Sequence, residues 1–212
     1  MITADHGESL SSLASGYERI AEQFLVVRGR AVTGIGVTAV RAWAQSVPAG
    51  ATVLDLGCGS GLPLTQVLID EGLTVYGIDA SPTLVAEFRT NLPGVTVACE
   101  AVEDASFFGR RFDAVLAWGL WFLLPEATQL ELLRRVADVL EPGGRLLFTS
   151  AAQACSWRDV MTGEESRSLG AQVYRTRLRE LGFPVIREYD DEGENHYYDA
   201  VKRFGASSEA SR

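Results

Sequence analysis

Apolar residues recur at three- and four-residue steps through Leu10, Leu13, Tyr17, Ile20, Phe24 and Val27, the spacing of a helix with one buried stripe. The stretch "GRAVTGIG" interrupts this rhythm. Val37, Val40 and Trp43 resume it before "SVPAG", whose proline and glycine read as a turn. Two helices are therefore predicted ahead of any strand. From residue 51 the rhythm changes: short apolar runs, "ATVLDL", "LTVYGID", "GVTVAC", "FDAVLAWG" and "GGRLLFTS", alternate with stretches of helical spacing. Such alternation predicts βαβ units and a buried parallel sheet. One intervening stretch, Glu126 to Leu140, sets Leu130, Leu133, Ala137 and Leu140 on one face between Pro125 and "EPGG", and predicts a right-handed crossover helix.

Beyond residue 150 a polar stretch shows helical spacing at Val173, Leu178 and Leu181. Two β-rich segments then flank "DDEGEN", predicting an antiparallel hairpin, and "GASSEASR" reads as a frayed tail. The expected class is α/β: a three-layer α/β/α sandwich with a mostly parallel seven-stranded sheet and a C-terminal antiparallel hairpin. With 212 residues the chain fits one domain. That domain is read as a helical cap over 1–47, a core over 50–150, a segment over 151–204 ending in the hairpin, and a flexible tail over 205–212.

Composition narrows the partners. The 28 acidic residues outnumber the 19 basic ones, a formal charge of −9, which disfavours the broad basic surface that tracks nucleic-acid phosphates. The N-terminus lacks a basic region followed by an apolar one, and no run approaches the roughly 20 apolar residues of a membrane span. A cytoplasmic protein acting on a small molecule, without nucleic acid or membrane as partner, is the expectation. Cys58, Cys99 and Cys155 are odd in number and far apart, so neither a disulfide framework nor a metal site is expected.

The stretch "VLDLGCGSGLP" holds Gly57, Gly59 and Gly61 between a predicted strand and a predicted helix, where the backbone can turn sharply and a ligand can approach without meeting a Cβ. The dinucleotide spacing is G-x-G-x-x-G, whereas here it is G-x-G-x-G with Leu62 following. Asp55 just before the loop would repel a pyrophosphate and welcome a ligand with ammonium and hydroxyl groups. Asp79, at the end of "VYGID", stands where an α/β cofactor domain places a carboxylate for two ribose hydroxyls; capping of the next helix, shared with Ser81, is the plainer use of such a residue.

Together "VLDLGCGSG", "YGIDAS", "VEDASFFGRRFDAVLAWG" and "LEPGGRLLFTS", in this order and spacing, resemble the Rossmann-like class I S-adenosylmethionine-dependent methyltransferases. The resemblance implies S-adenosylmethionine as cofactor. It places Asp55, Gly57 and Gly59 around the methionine end, Asp79 on the ribose, and Ala80 and Ser81 near the adenosine. Adenine recognition falls to Val102 and Glu103, which follow Ala101 where the family often has an acid. Trp118 passes close to the methionine portion, and Tyr17 and Arg28 match the aromatic and arginine that the family's early helix often supplies.

The methyl acceptor is a separate question. In an open α/β sheet ligands sit beyond the carboxyl ends of the parallel strands, which directs attention to "WGLWFLLPE", "SAAQACSWRDVMTG" and "DDEGENHYYD". Trp121, Trp157, Arg158 and Tyr197 are the candidate acceptor contacts, as wall aromatics or an anion-holding arginine. His196 is the candidate base or acceptor-orienting group, with a hydrogen-bonded structural histidine as the alternative. The expected activity is methyl transfer to a small molecule by in-line displacement. A noncatalytic S-adenosylmethionine-binding regulator and an NAD-dependent oxidoreductase stand as alternatives.

Overall fold

The computed structural model describes residues 17–26 and 34–204. Leu10, Leu13, Val27 and Arg28, and the expected tail over 205–212, lie outside the described residues. A helical turn at 17–19 leads into α1 (Ala21–Phe24), followed by α2 (Val37–Ala44), β1 (Thr52–Leu56), α3 (Leu64–Asp70), β2 (Thr74–Asp79), α4 (Pro82–Asn91) and β3 (Thr96–Cys99). Next come a 3₁₀ turn (Phe107–Gly109), β4 (Phe112–Ala117), a second 3₁₀ turn (Trp121–Leu123), α5 (Glu126–Val139) and β5 (Leu140–Thr149). The chain continues through β6 (Ala154–Arg158), β7 (Glu165–Leu169), α6 (Ala171–Glu180), β8 (Val185–Asp190) and β9 (His196–Val201).

The seven-stranded sheet has the order β3-β2-β1-β4-β5-β9-β8. Strands β1 to β5 pair in parallel, and β9 runs antiparallel to both β5 and β8. All five apolar runs thus become strands, and the two segments around "DDEGEN" form the expected hairpin. β1 and β4 occupy the middle because both their faces are apolar: Val53, Leu54, Leu56, Ala114, Val115, Leu116 and Ala117 are all buried. Asp113 of "F-D-x-V" latches the two together, its Oδ2 accepting from the backbone N–H and the hydroxyl of Thr52 at 2.8 and 2.9 Å. On the far side Arg145 reaches across β5 to β9, donating twice to the buried carboxylate of Asp199 at 2.8 and 2.6 Å. A paired, desolvated fork of this kind is costly to break, because either partner alone would be left as an uncompensated charge.

Three expectations shift. α5 buries Gln129, Leu132, Leu133, Val136 and Ala137, so its inward face is centred one residue away from the one read through Leu130. Gln129 can enter the core because its Nε2 donates to the carbonyls of Leu124 and Arg167, at 2.8 and 3.1 Å, and Tyr174 donates to its Oε1 at 2.6 Å. α6 turns Ala171, Tyr174 and Leu178 inward and leaves Val173 exposed. Residues 154–169, part of the polar stretch beyond residue 150 in which no strand was expected, form the separate β6–β7 hairpin. Its strands carry no apolar alternation: the inward positions of β7 are Ser166 and Ser168, so the pattern that marks the other strands is missing.

Candidate active site

A cavity of about 770 Å³ opens beyond the carboxyl ends of the parallel strands, within the range of small-molecule sites. Its floor is the turn between β1 and α3. Gly57, Gly59 and Gly61 all have positive φ (72°, 55° and 80°), which accounts for glycine at each. Two of them also lack space for a side chain: a Cβ on Gly57 would lie 3.2 Å from Leu120, and one on Gly61 would lie 2.5 Å from Leu92.

Asp79 ends β2 and ties two turns together. Its Oδ2 accepts the N–H of Gly59 at 2.8 Å and its Oδ1 that of Ser81 at 2.9 Å. An ionised carboxylate has about four acceptor positions, so both oxygens retain capacity for a diol. Burial raises the Asp79 carboxyl, opposed by those backbone bonds. Asp55, deeper in the same wall, accepts from the hydroxyl of Thr65 at 2.6 Å, and burial pushes its carboxyl up to about 7. An ammonium group placed there would draw the proton off and leave an ion pair. Burial and then the charges of Asp55 and Asp79 push the Cys58 thiol well up, which disfavours a thiolate there.

Ser81 does cap a helix, accepting the Leu84 N–H at 3.1 Å at the start of α4. Its hydroxyl also donates to Glu18, whose other oxygen takes the Thr83 hydroxyl at 2.6 Å. Burial would raise the Glu18 carboxyl, but these bonds outweigh it and hold it down. Glu18 thus pins the first helical segment over the cavity, and Tyr17 and Phe24 line it from above. Arg135 of α5 fixes the loop after β3, donating to the carbonyls of Val102 and Glu103 at 2.5 and 2.6 Å and to that of Ala105. Neither Glu18 nor Arg135 was singled out from sequence, since each acts on a segment far along the chain.

Asp55, Gly57, Gly59, Asp79, Ala80, Ser81, Val102, Glu103, Trp118 and Tyr17 are brought together on this one cavity. Most acceptor-side candidates are not. Trp121 is fully buried, its ring 4.6 Å from that of Phe148, because the 3₁₀ turn after β4 rotates it into the core. Trp157 packs on Phe122, which itself lines the cavity, and Arg158 donates to the carbonyl of Gly163 within its own hairpin. Tyr197 is fully buried behind Trp118, accepting from its indole N–H at 2.8 Å.

His196 also lies off the cavity. It shares a sheet face with Tyr198, and its Nδ1 and Nε2 stand 2.6 and 3.3 Å from Asp190 and Glu188, the latter also paired with Arg175. The parity of the strand start decided this: the residue before it, Asn195, is the one that reaches the cavity. Asn195, Ile35, Phe122, Asp159 and Met161 also line the cavity, drawn from four separate turns. Among the described residues, no group of three His, Cys, Asp or Glu side chains could hold a metal ion, and no helix is long and apolar enough to cross a membrane.

A glycine turn flanked by acids at the ends of β1 and β2, under this strand order, makes a Rossmann-like α/β site suited to a nucleoside. Comparison with known proteins agrees. A methyltransferase domain family model matches residues 53–144. Aklanonic acid methyltransferase DauC of Streptomyces sp. (strain C5) is 30% identical over 151 residues, covering 68% of this chain and 63% of that protein. Ubiquinone biosynthesis O-methyltransferase of Xanthomonas axonopodis pv. citri (strain 306) is 38% identical over 112 residues, covering 50% of this chain and 46% of that protein. The chain therefore spans about half to two thirds of the length of these relatives. Among solved structures, the 1,6-didemethyltoxoflavin-N1-methyltransferase of Burkholderia thailandensis shares the fold, with a TM-score of 0.68 at 20% identity over 96% of this chain and 98% of that one. Residues 53–144 thus match a methyltransferase domain, and the chain is similar in sequence and fold to S-adenosylmethionine-dependent methyltransferases.

Proposed function

We propose that this chain transfers a methyl group from S-adenosylmethionine to a small-molecule acceptor by in-line displacement. The observation that carries the reading is that one cavity is lined both by the glycine turn with its two acids and by Ile35, Phe122, Met161 and Asn195 from distant turns. When bound, the cofactor supplies a methyl group already activated by the positive sulfur, so the protein has mainly to align and desolvate.

The residues suit that cofactor. Asp79 has acceptor capacity for the ribose hydroxyls, Asp55 offers a charge for the ammonium, and the loop held by Arg135 provides an edge for the adenine at Val102 and Glu103. Trp118, Tyr17 and Phe24 offer aromatic faces, which favour a sulfonium and exclude water. His196 is not assigned a role in proton transfer, since it stands outside the cavity.

The small-molecule acceptors named for the relatives, together with the acidic charge of −9, favour a metabolite over a nucleic acid. Calorimetry with S-adenosylmethionine, S-adenosylhomocysteine and NAD, followed by incubation of a metabolite extract with methyl-labelled cofactor, tests the reading. Binding of the first two and a labelled product are expected. Binding without any product would leave a regulator, and tight binding of NAD alone would overturn the proposal.

A further inference from the structure

The acceptor end of the cavity contains one polar side chain whose orientation is chemically fixed. Asp191 opens the β8–β9 turn, and its carboxylate accepts the backbone N–H groups of Gly193 and Asn195 at 2.9 and 3.0 Å and the Tyr197 hydroxyl at 2.8 Å. It also takes the Asn195 side-chain amide, with Nδ2 at 3.0 Å from one oxygen and 3.1 Å from the other. Burial would raise this carboxyl, but the bonds from Tyr197, Asn195 and Gly193 hold it below its ordinary value. An ionised carboxylate only accepts, so it must face the NH₂ of Asn195 and not the carbonyl.

With Nδ2 engaged, Oδ1 is the polar atom Asn195 has left for the cavity, and among the described residues no hydrogen bond reaches it. The turn is held in place from behind. Trp118 donates to Tyr197, which donates to Asp191, while Gly36 and Gly193 let the segment at Ile35 pack close: a Cβ on either would come within 2.7 Å of a neighbouring side chain. Among the described residues lining the cavity the charged ones are Asp55, Asp79, Glu103 and Asp159, all acids, and Trp118, Phe122 and Met161 supply apolar surface beside Asn195.

Building on the proposed methyl transfer, we infer that Asn195 Oδ1 is the specificity-determining group of the acceptor end. It takes a hydrogen bond from an O–H or N–H of an uncharged or cationic acceptor with an apolar body, and so selects against carboxylates and phosphates. A bonded donor satisfies Oδ1, whereas an anionic oxygen there would set acceptor against acceptor in an acidic, partly dry site. Asp191 acts through Asn195 as a positioning residue.

The test uses one apolar body with three polar ends: 2-naphthol, 2-naphthylmethylamine and 2-naphthoate, titrated calorimetrically into protein saturated with S-adenosylhomocysteine. The first two are expected to bind at least about tenfold more tightly than naphthoate, the scale of one well-placed hydrogen bond. Asn195→Leu should erase that preference while S-adenosylhomocysteine affinity stays within about threefold of wild type. Asp191→Asn, which no longer dictates the amide's orientation, should narrow the preference without removing binding. Equal binding of all three probes, a preference for naphthoate, no binding by any of them, or a preference that survives both substitutions would overturn the assignment. Failure of wild-type protein to bind S-adenosylhomocysteine at all would instead remove the methyltransferase reading on which it rests.

Discussion

At the cofactor end of the cavity, the groups that matter come from two consecutive strand–helix turns: Asp55 and the glycines after β1, then Asp79, Ala80 and Ser81 after β2. At the acceptor end Ile35, Trp118, Met161 and Asn195 come from four turns separated by whole elements. The first end is built from backbone conformation and neighbouring carboxylates, which a short motif can encode. The second is built from side chains whose facing depends on strand parity, on a separate hairpin and on close contacts through Gly36 and Gly193. A chain can therefore keep the same cofactor end and change its acceptor by altering turns far from the motif.

The largest expected effect falls on the cofactor end. Asp79→Ala removes the ribose acceptor and frees the Gly59 and Ser81 N–H groups together, and should weaken S-adenosylhomocysteine by roughly 100-fold, on the scale of paired charge-assisted hydrogen bonds. Calorimetry at unchanged affinity would show that the diol is held elsewhere.

Next comes the pH response of Asp55, whose folded value of about 7 lies above its ordinary 3.8. Cofactor ammonium prefers the ionised form, so affinity should climb about tenfold between roughly pH 6 and 8 and level off above. Asp55→Asn should flatten the profile. The linkage to folding of the empty protein has the opposite sign. Because the folded value is raised, this group's contribution is complete below 3.8 and is lost as pH rises through about 7. Melting temperatures across that window, compared with Asp55→Asn, check it.

A smaller effect should separate the two ends. Gly36 has φ +88° and a Cβ there would lie 2.7 Å from the Trp118 indole nitrogen. Gly36→Ala should cost about 1–3 kcal/mol of stability, seen as a lower melting temperature, and should reduce methyl transfer more than S-adenosylhomocysteine affinity. Equal losses in both would mean that the ends are not separable. The smallest effect is expected at His196, which stands among Asp190, Glu188 and Tyr198 away from the cavity. His196→Ala should leave cofactor affinity and turnover unchanged and lower stability by about 1 kcal/mol. Turnover lost at constant stability would return the histidine to the chemistry.

How much of this was legible follows from the same contrast. The parallel strands showed as apolar runs, most fully in the central β1 and β4, because strands buried on both faces need apolar residues throughout. The β6–β7 hairpin did not, because it buries Ser166 and Ser168, and polar inward positions leave no alternation to read. The inward faces of α5 and α6 were offset because Gln129 and Tyr174, polar-bearing residues, satisfy each other in the core by a 2.6 Å hydrogen bond. On the acceptor side the turn after β8 was located correctly, yet His196 and Tyr197 were favoured over Asn195. Strand parity turns His196 away, whereas Tyr197, of the same parity as Asn195, is covered by Trp118.

The sequence by itself determined the order of the seven strands of the main sheet, the glycines of the cofactor turn and its two acids, since each depends on chemistry within a few residues. The tertiary structure alone decided which aromatics left the cavity for the core, how Glu18 and Arg135 hold segments distant in the chain, and which way the Asn195 amide is turned. That last choice is made by the ionised carboxylate of Asp191, which can bond only to the amide's N–H end.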